Sequence, residues 1–223
     1  MALILNLETA TKTCSVALSK DGTVIGKKEL TSENYSHAEK LNLFIEDVLA
    51  EANVSLKELD ALAVSAGPGS YTGLRIGTST AKGLCYALDK PLIAVNSLKA
   101  LTAQLKQEKE MFYAPMFDAR RMEVYTALYD DQLNEIKATD AVVMDSEFCN
   151  EIEGKVVYFG PGASKCKELL SPEKFTYTEV EVSAVGMAQL ADEQFNQNNF
   201  VDVAYFEPAY LKDFVAGKPK KLL

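Results

Sequence analysis

A glycine-rich turn, residues 65–83, is the part of this sequence whose residue types most resemble a binding loop. It reads SAGPGSYTGLRIGTSTAKG and leads from an apolar strand into a long run of small and apolar residues. A helix that starts after such a turn offers free N–H groups to an anion. The spacing fits no phosphate motif, because only three residues separate Gly69 from Gly73 and Leu74-Arg75 follow instead of Lys-Ser/Thr. Thr72 also stands where a dinucleotide loop needs its third glycine. We therefore expect a structural turn here.

Three other polar turns follow predicted strands, and the first of them, which is rich in hydroxyls, could line a phosphate. They are Glu8-Thr9-Ala10-Thr11-Lys12, Asp118-Ala119-Arg120-Arg121 and Gly160-Pro161-Gly162, the last of which is expected to open a helix. Hydroxyls, cationic side chains and glycine backbones are the groups that commonly contact phosphate. On local evidence alone, the first of these turns fits a plain hairpin better than a phosphate site.

Metal-dependent and nucleophilic chemistry lack the residues they require. His37 is the only histidine, and the cysteines at positions 14, 85, 149 and 166 are far apart, without a Cys-x-x-Cys pair. A zinc site needs several protein ligands, and a Ser-His-Asp or Cys-His set needs a positioned histidine. We predict no metal site, no catalytic residues, and reduced thiols in a cytoplasmic protein.

Charge and composition exclude further classes of protein. The net charge of −9 on 223 residues argues against binding nucleic acid alone, which needs a basic face. The apolar start is short and Glu8 interrupts it, so no signal peptide is expected. No stretch approaches the length of a membrane span, so no membrane partner is expected either.

The pattern of apolar residues predicts the same order of elements twice. In the first half, the strands Leu3–Leu7 and Cys14–Leu18 flank a polar corner. In the second half, Phe112–Phe117 and Met122–Tyr129 do the same. Strands followed by helices in both halves predict an α/β protein of two similar lobes.

A charge-rich stretch, Lys106–Glu110, is predicted to separate the lobes. The first lobe then covers residues 1–105 and the second covers 106–199, with its last helix at Ser183–Phe195. The C-terminal residues 200–223 are expected to pack back on the first lobe.

Two helices of the first lobe are predicted to form a subunit interface. The helix from His37 to Ala52 has a clear apolar stripe, and the helix from Thr72 to Leu88 carries only two charges and so lacks a polar back. The alternative is a helix buried inside its own lobe. The predicted interface residues are His37, Leu41, Gly69, Ser70, Tyr71, Thr72, Leu74, Arg75, Gly77, Thr78, Ala81 and Lys82.

Several segments together resemble the TsaB family, the bacterial tRNA threonylcarbamoyladenosine biosynthesis proteins that are also described as YeaZ or as glycoprotease-like, M22-peptidase-like proteins. The segments are ILNLETATKTCSVAL, SHAEKL, GPGSYTGLRIGTSTAKGL, DARR at 118–121, FGPGASK and PAYLK. The similarity covers nearly the whole chain. It implies an actin-like fold of two similar lobes, of the ribonuclease H-like and sugar-kinase (ASKHA) type.

The resemblance also implies a non-catalytic scaffold or activating subunit in the synthesis of N6-threonylcarbamoyladenosine (t6A) in tRNA. In that family the transfer chemistry belongs to the paralogue TsaD, TsaB dimerises with it, and the ATPase TsaE joins them. The implied partners are therefore a TsaD-like catalytic subunit and a TsaE-like ATPase. A second copy replaces them when the partner is absent, and tRNA binds only through the complex.

The resemblance further implies a degenerate nucleotide cleft. Actin-like kinases carry an aspartate and a glycine in both phosphate corners, and neither corner has both here. The catalytic paralogue holds its metal with two histidines, which a single histidine cannot replace. We predict no tightly bound cofactor, which leaves open weak or interfacial ATP or ADP binding. The residues predicted to line the cleft are Thr9, Thr11, Lys12, Asp118, Gly160 and Gly162.

Two other functions stay open from the sequence. One is an autonomous actin-like enzyme acting as a homodimer, either a small-molecule kinase or a glycoprotease-like peptidase. The other is a plain homodimeric scaffold or binding module.

Overall fold

Two five-stranded sheets form the framework of the protein in the computed structural model, which describes residues 2–32 and 36–212. The first part of the chain forms β1 (Leu3–Glu8), β2 (Thr13–Lys20), β3 (Thr23–Thr31), α1 (His37–Ala52), a 3-10 turn (Leu56–Glu58), β4 (Ala61–Ser65), α2 (Tyr71–Leu88), β5 (Leu92–Val95) and α3 (Ser97–Ala103). The second part forms β6 (Met111–Asp118), β7 (Glu123–Tyr129), β8 (Glu135–Val143), β9 (Lys155–Phe159), a 3-10 turn (Ser164–Cys166), β10 (Phe175–Thr178), a 3-10 turn (Ala184–Met187) and α4 (Ala188–Asn196).

The two sheets share one topology. The strand orders are β3-β2-β1-β4-β5 and β8-β7-β6-β9-β10. In each sheet the first three strands along the chain pair antiparallel, and the last two continue the sheet in parallel. The predicted α/β protein of two similar lobes is therefore confirmed.

The first sheet is covered on both faces, which explains its continuous apolar strands. Leu5 and Leu7 of β1 point to the face covered by α1 and α2. Ile4, between them in the alternation, points to the opposite face, which α4 and its preceding 3-10 turn cover. Because successive strand residues alternate between faces and both faces are covered, β1 carries apolar residues at four of its six positions, on both faces.

The structure places the border between the lobes differently from the sequence. Residues 184–196, expected in the second lobe, pack on the first sheet through Ala184, Met187, Leu190 and Ala191. The last helix begins at Ala188, after a 3-10 turn, and not at Ser183. The turn at 160–162 leads only into the short 3-10 turn Ser164–Cys166, not into the expected α-helix.

The C-terminal segment, which here means residues 200–212, runs back along the first lobe. The Val201 amide donates to the Leu92 carbonyl at 2.9 Å, and the Ala209 amide donates to the Ala66 carbonyl at 2.8 Å. The rest of the predicted segment, 213–223, lies outside the described residues. Across the described residues, no helix combines the length and hydrophobicity that crossing a membrane requires.

Candidate functional site

A cleft of about 1130 Å³ lies between the two lobes, and the polar corners at the strand ends line it. Of the six residues predicted there, Thr11, Lys12, Asp118 and Gly160 line the cleft. Thr9 and Gly162 lie behind its walls. The Gly162 amide donates to the Met116 carbonyl at 2.8 Å, and a Cβ added to Gly162 would lie 2.6 Å from the carbonyl carbon of Phe117. Gly162 therefore permits close packing of the turn on β6.

Lysines neutralise the acidic groups of the second corner, which follows β6. The Lys165 ammonium pairs with the Asp118 carboxylate and also donates to the Glu123 carbonyl at 2.7 Å. The Lys212 ammonium pairs with the Glu123 carboxylate and donates to the Ala119 carbonyl at 3.3 Å. Both lysines lie in segments that carry the family resemblance, FGPGASK and PAYLK, but the sequence pattern predicts no role for either. Both acids are thus paired within the protein.

Two arginines at the same corner have left-handed backbone conformations. Their φ angles are 72° for Arg120 and 50° for Arg121, values that non-glycine residues rarely adopt. The Asp118 carboxylate accepts from the Arg120 amide at 3.0 Å and helps to hold this turn. Both exposed side chains line the cleft. They give its rim a local positive charge.

At the first corner, which follows β1, the carboxyl of Glu8 faces the interior of the lobe. Its side chain is 1% exposed, and its Oε1 accepts from the Ala10 amide at 2.6 Å. Burial raises the pKa of Glu8 to about 7, against the hydrogen bonds from Ala10, Ser65 and Thr9 that lower it. Because Glu8 is not among the residues that line the cleft, it is not placed to hold a metal or activate a substrate there.

His37 and the thiols are likewise placed as structural groups. The Nε2 of His37 donates to the Thr11 carbonyl at 2.8 Å, and burial lowers the pKa of the ring. All four cysteines are buried, and burial raises the pKa of Cys14 to about 11 and that of Cys85 to about 12. These thiols stay protonated at neutral pH, whereas the thiolate is the nucleophile. Among the described residues, no group of His, Cys, Asp and Glu is arranged to hold a metal ion.

The structure places half of the predicted interface residues inside their own lobe. The glycines of α2 permit contact with the β1–β2 corner: a Cβ on Gly73 would lie 2.1 Å from the Thr9 carbonyl oxygen, and a Cβ on Gly77 would lie 2.2 Å from Thr9 Oγ1. The expectation that α2 lacks a polar back is wrong, because an exposed polar side remains. The predicted residues that are buried are His37, Leu41, Leu74, Gly77, Thr78 and Ala81.

The outward stripe of α2 consists of exposed residues at helical spacing: Thr72, Arg75, Ser79, Gly83 and Tyr86. A Cβ added to Gly83 would meet nothing within 4 Å, so nothing inside the lobe requires a glycine there. The Tyr86 side chain is 87% exposed. Thr72, Ser79 and Gly83 are small, so a second helix can approach this stripe closely between the larger side chains of Arg75 and Tyr86.

Thr72 and Arg75, which were predicted interface residues, belong to this stripe, and the other predicted residues, Gly69, Ser70, Tyr71 and Lys82, border it. At the start of α2, Gly69 and Ser70 are half-buried in the turn, and the Ser70 hydroxyl caps the helix by accepting from the Gly73 amide at 3.2 Å. A Cβ on Gly69 would lie 2.4 Å from the Ala10 carbonyl oxygen. The turn is thus fixed against the first corner, which sets the direction of α2.

The C-terminal segment lies along one flank of α2. The Lys82 ammonium donates to the carbonyls of Ala204 and Phe206, both at 3.0 Å. The Arg75 guanidinium lies 4.0 Å from the centroid of the Tyr71 ring and 6.0 Å from that of Tyr210. The sequence predicts that residues 200–223 pack on the first lobe, but it does not indicate that Tyr210 borders this helix.

Comparison with known proteins places these features in a family. A family model described as TsaD, tRNA N6-adenosine threonylcarbamoyltransferase, matches residues 29–215. The tRNA threonylcarbamoyladenosine biosynthesis protein TsaB of Escherichia coli (strain K12) is 34% identical over 226 residues, covering 96% of each chain. TsaB of Bacillus subtilis (strain 168) is 33% identical over 172 residues, covering 75% of this chain and 74% of the relative.

A solved structure agrees with this similarity in sequence. YeaZ from Pseudomonas aeruginosa superposes with a TM-score of 0.80 at 26% identity, covering 95% of this chain and 100% of that chain. The actin-like fold expected from the resemblance is thereby confirmed. Because TsaB of Escherichia coli is 34% identical and covers 96% of this chain, the chain belongs to the TsaB family of tRNA threonylcarbamoyladenosine biosynthesis proteins.

Proposed function

We propose that this protein is a non-catalytic scaffold or activating subunit in the synthesis of t6A in tRNA. The observation that carries the proposal is the outward stripe of α2, which exposes Gly83 and Tyr86 without any intramolecular need for either. Membership of the TsaB family supports the pathway. The subunit dimerises with a TsaD-like catalytic subunit through this stripe, and the pair recruits a TsaE-like ATPase. A second copy takes the partner's place when it is absent.

The proposed interface is revised from the sequence expectation. It comprises the outward stripe of α2 and the exposed side of α1, including Leu43, whose side chain is 51% exposed. Large aromatic side chains and arginines commonly dominate interface energies, which favours Tyr86 and Arg75 as anchors. Substitution of the buried Ala81 would test folding rather than association.

The cleft supports the absence of catalysis by this subunit alone. The first corner buries its acid, and the second pairs Asp118 with Lys165 and Glu123 with Lys212. A kinase would need acidic groups free to hold a metal and its phosphates, and a peptidase would need a nucleophile beside a base. Any nucleotide is therefore bound weakly or at the subunit junction.

Copurification with the TsaD-like subunit of the same organism tests the proposal. Ser79→Glu adds a charge in the middle of the outward stripe, where the exposed side chain leaves folding undisturbed. We expect wild type to bind the partner and Ser79→Glu to lose it, while Ser171→Glu, an exposed serine in the second lobe, binds normally. Circular dichroism checks that all three fold. Undiminished binding by Ser79→Glu would remove the α2 stripe from the interface.

A further inference from the structure

We propose that a pocket in the second lobe is a binding site for a small primary amine with an apolar body. The pocket has a volume of about 260 Å³ and lies against β7 and β8. None of the residues that line it also lines the cleft between the lobes. Because the proposed subunit interface lies in the first lobe, this inference does not depend on the proposed function.

An irregularity in the second sheet accompanies the pocket. Two residues of β8, Ala138 and Thr139, lie opposite the single residue Ala127 of β7. Such a bulge bends the strand locally and redirects its side chains, and bulges are frequent next to active sites. The apolar residues that line the pocket beside the bulge and also belong to the core of this lobe are Leu128, Val142 and Phe148. The pocket therefore has an apolar floor that can take the hydrocarbon part of a ligand.

The opposite wall of the pocket, residues 145–151, is a run of turns that other parts of the lobe hold in place. The Lys174 ammonium donates to the Cys149 carbonyl at 2.6 Å and to the Ile152 carbonyl at 2.7 Å. The Phe148 ring packs on the ring of the buried Phe175, with the centroids 6.2 Å apart. The wall is thus fixed from behind, so the pocket is formed before a ligand enters, as is usual for small-molecule sites.

Two carboxylates at this wall have no cationic partner. Asp145 and Glu147 line the pocket, are exposed, and form no ion pair within residues 2–32 and 36–212. A third acid, Glu151, already pairs with the Lys137 ammonium. Lys137 is the one cation among the described residues that line the pocket. An anionic ligand would therefore meet like charge, whereas a cationic ligand would meet two unpaired carboxylates.

A buried hydroxyl adds a further acceptor to the lining. Thr126 is 3% exposed, and its Oγ1 donates to the Ala127 carbonyl at 3.3 Å but accepts no hydrogen bond in the described part of the chain. An ammonium group, with three donors and no acceptor, matches a lining whose free polar groups are acceptors. The volume is slightly below the range of about 300–1,000 Å³ that holds drug-sized ligands, so the amine must be small.

Binding of phenethylamine to the full chain, followed by two-dimensional amide NMR, tests the inference. Phenethyl alcohol and phenylacetate are neutral and anionic probes of similar shape. The variant is Asp145→Asn with Glu147→Gln, which keeps the Asp145 oxygen that accepts from the Glu147 amide. The control is Glu168→Gln with Glu173→Gln, which removes the same charge at two exposed positions of the second lobe outside the pocket.

We expect phenethylamine to bind with a Kd in the millimolar range, which suits so small a ligand, and to shift amide signals at 126–128, 137–143 and 145–151. The alcohol and the carboxylate should bind about threefold more weakly or worse. The double variant should weaken amine binding by about threefold or more, as expected for exposed charges, while the control pair binds as wild type. Equal binding of the alcohol would overturn the inference, because the carboxylates would then select nothing. Signal shifts confined to other residues, no saturable binding of the amine, or equal weakening by the control pair would overturn it as well.

Discussion

The ring of Tyr210 packs on the ring of Tyr71, with the centroids 4.7 Å apart, and joins the C-terminal segment to the first turn of α2. One residue before Tyr210, the Ala209 amide bonds to the Ala66 carbonyl of the first lobe. Two residues after it, Lys212 pairs with Glu123 of the second lobe. A short stretch of chain therefore ties both lobes together at the cleft and borders the proposed interface.

Replacing Tyr210 with alanine should weaken the contact between the C-terminal segment and α2 and so destabilise the folded protein. We expect Tyr210→Ala to lower the free energy of unfolding by about 1–2 kcal/mol, through the lost ring pair and the area it buries. The matched control is Tyr205→Ala, whose side chain is 85% exposed and should cost less than about 0.5 kcal/mol. Urea titration measures both. Equal losses would mean that the ring pair contributes nothing specific.

The helical glycines Gly77 and Gly83 should respond in opposite directions to the same substitution. Gly83→Ala enters open space and should stabilise the folded chain by about 0.5–1 kcal/mol, because alanine favours helix over glycine. Gly77→Ala should destabilise it, since the new Cβ would lie 2.2 Å from Thr9 Oγ1. Thermal unfolding compares the two variants. If Gly83→Ala stabilises the chain yet leaves partner binding unchanged, no second backbone approaches Gly83.

The buried Glu8 makes stability depend on pH. Its pKa is raised in the folded state from 4.5 to about 7, so the folded protein favours the protonated acid. The stabilisation is complete below about pH 4.5 and is lost as pH rises through 7. Glu8→Gln keeps the shape without the charge. It should gain about 2–3 kcal/mol of unfolding free energy relative to wild type between about pH 5 and about pH 8. A constant difference across this range would show that Glu8 is not the group responsible.

The acidic chain should bind tRNA poorly by itself. With a net charge of −9, the subunit offers too few clustered cations to neutralise phosphates, although Arg120 and Arg121 are exposed at the cleft. We expect the isolated protein to bind tRNA more weakly than about 1 µM at physiological salt, where phosphate contacts are screened. Filter binding at two salt concentrations checks this. Tighter binding would mean that the subunit contacts tRNA directly.

The pattern of apolar residues along the chain was enough to predict those strands and helices that bury an apolar face in the core. The apolar strands β1 and β2 on either side of a polar corner, and the repetition of this order in β6 and β7, predicted the duplicated lobes. The apolar stripe of α1 predicted its bounds, His37–Ala52. The strand β10 was missed, since its four residues, FTYT, carry too short a pattern.

The site depended on contacts that local pattern does not encode. Small residues on α2 indicate close approach but not the identity of the neighbour: Gly77 meets Thr9 of its own lobe, whereas Gly83 meets nothing. The pairs of the second corner join residues 47 positions apart for Lys165 with Asp118 and 89 apart for Lys212 with Glu123. Only the folded topology brings such residues together.

Reconstituted t6A synthesis tests the central claim most directly. The TsaD-like subunit, the TsaE-like ATPase and the remaining components of the pathway are incubated with tRNA, with and without this protein, and t6A is quantified in the digested tRNA by mass spectrometry. We predict t6A only when this protein is present, and a loss of product with Ser79→Glu but not with Ser171→Glu. Equal t6A formation without this protein would contradict the account.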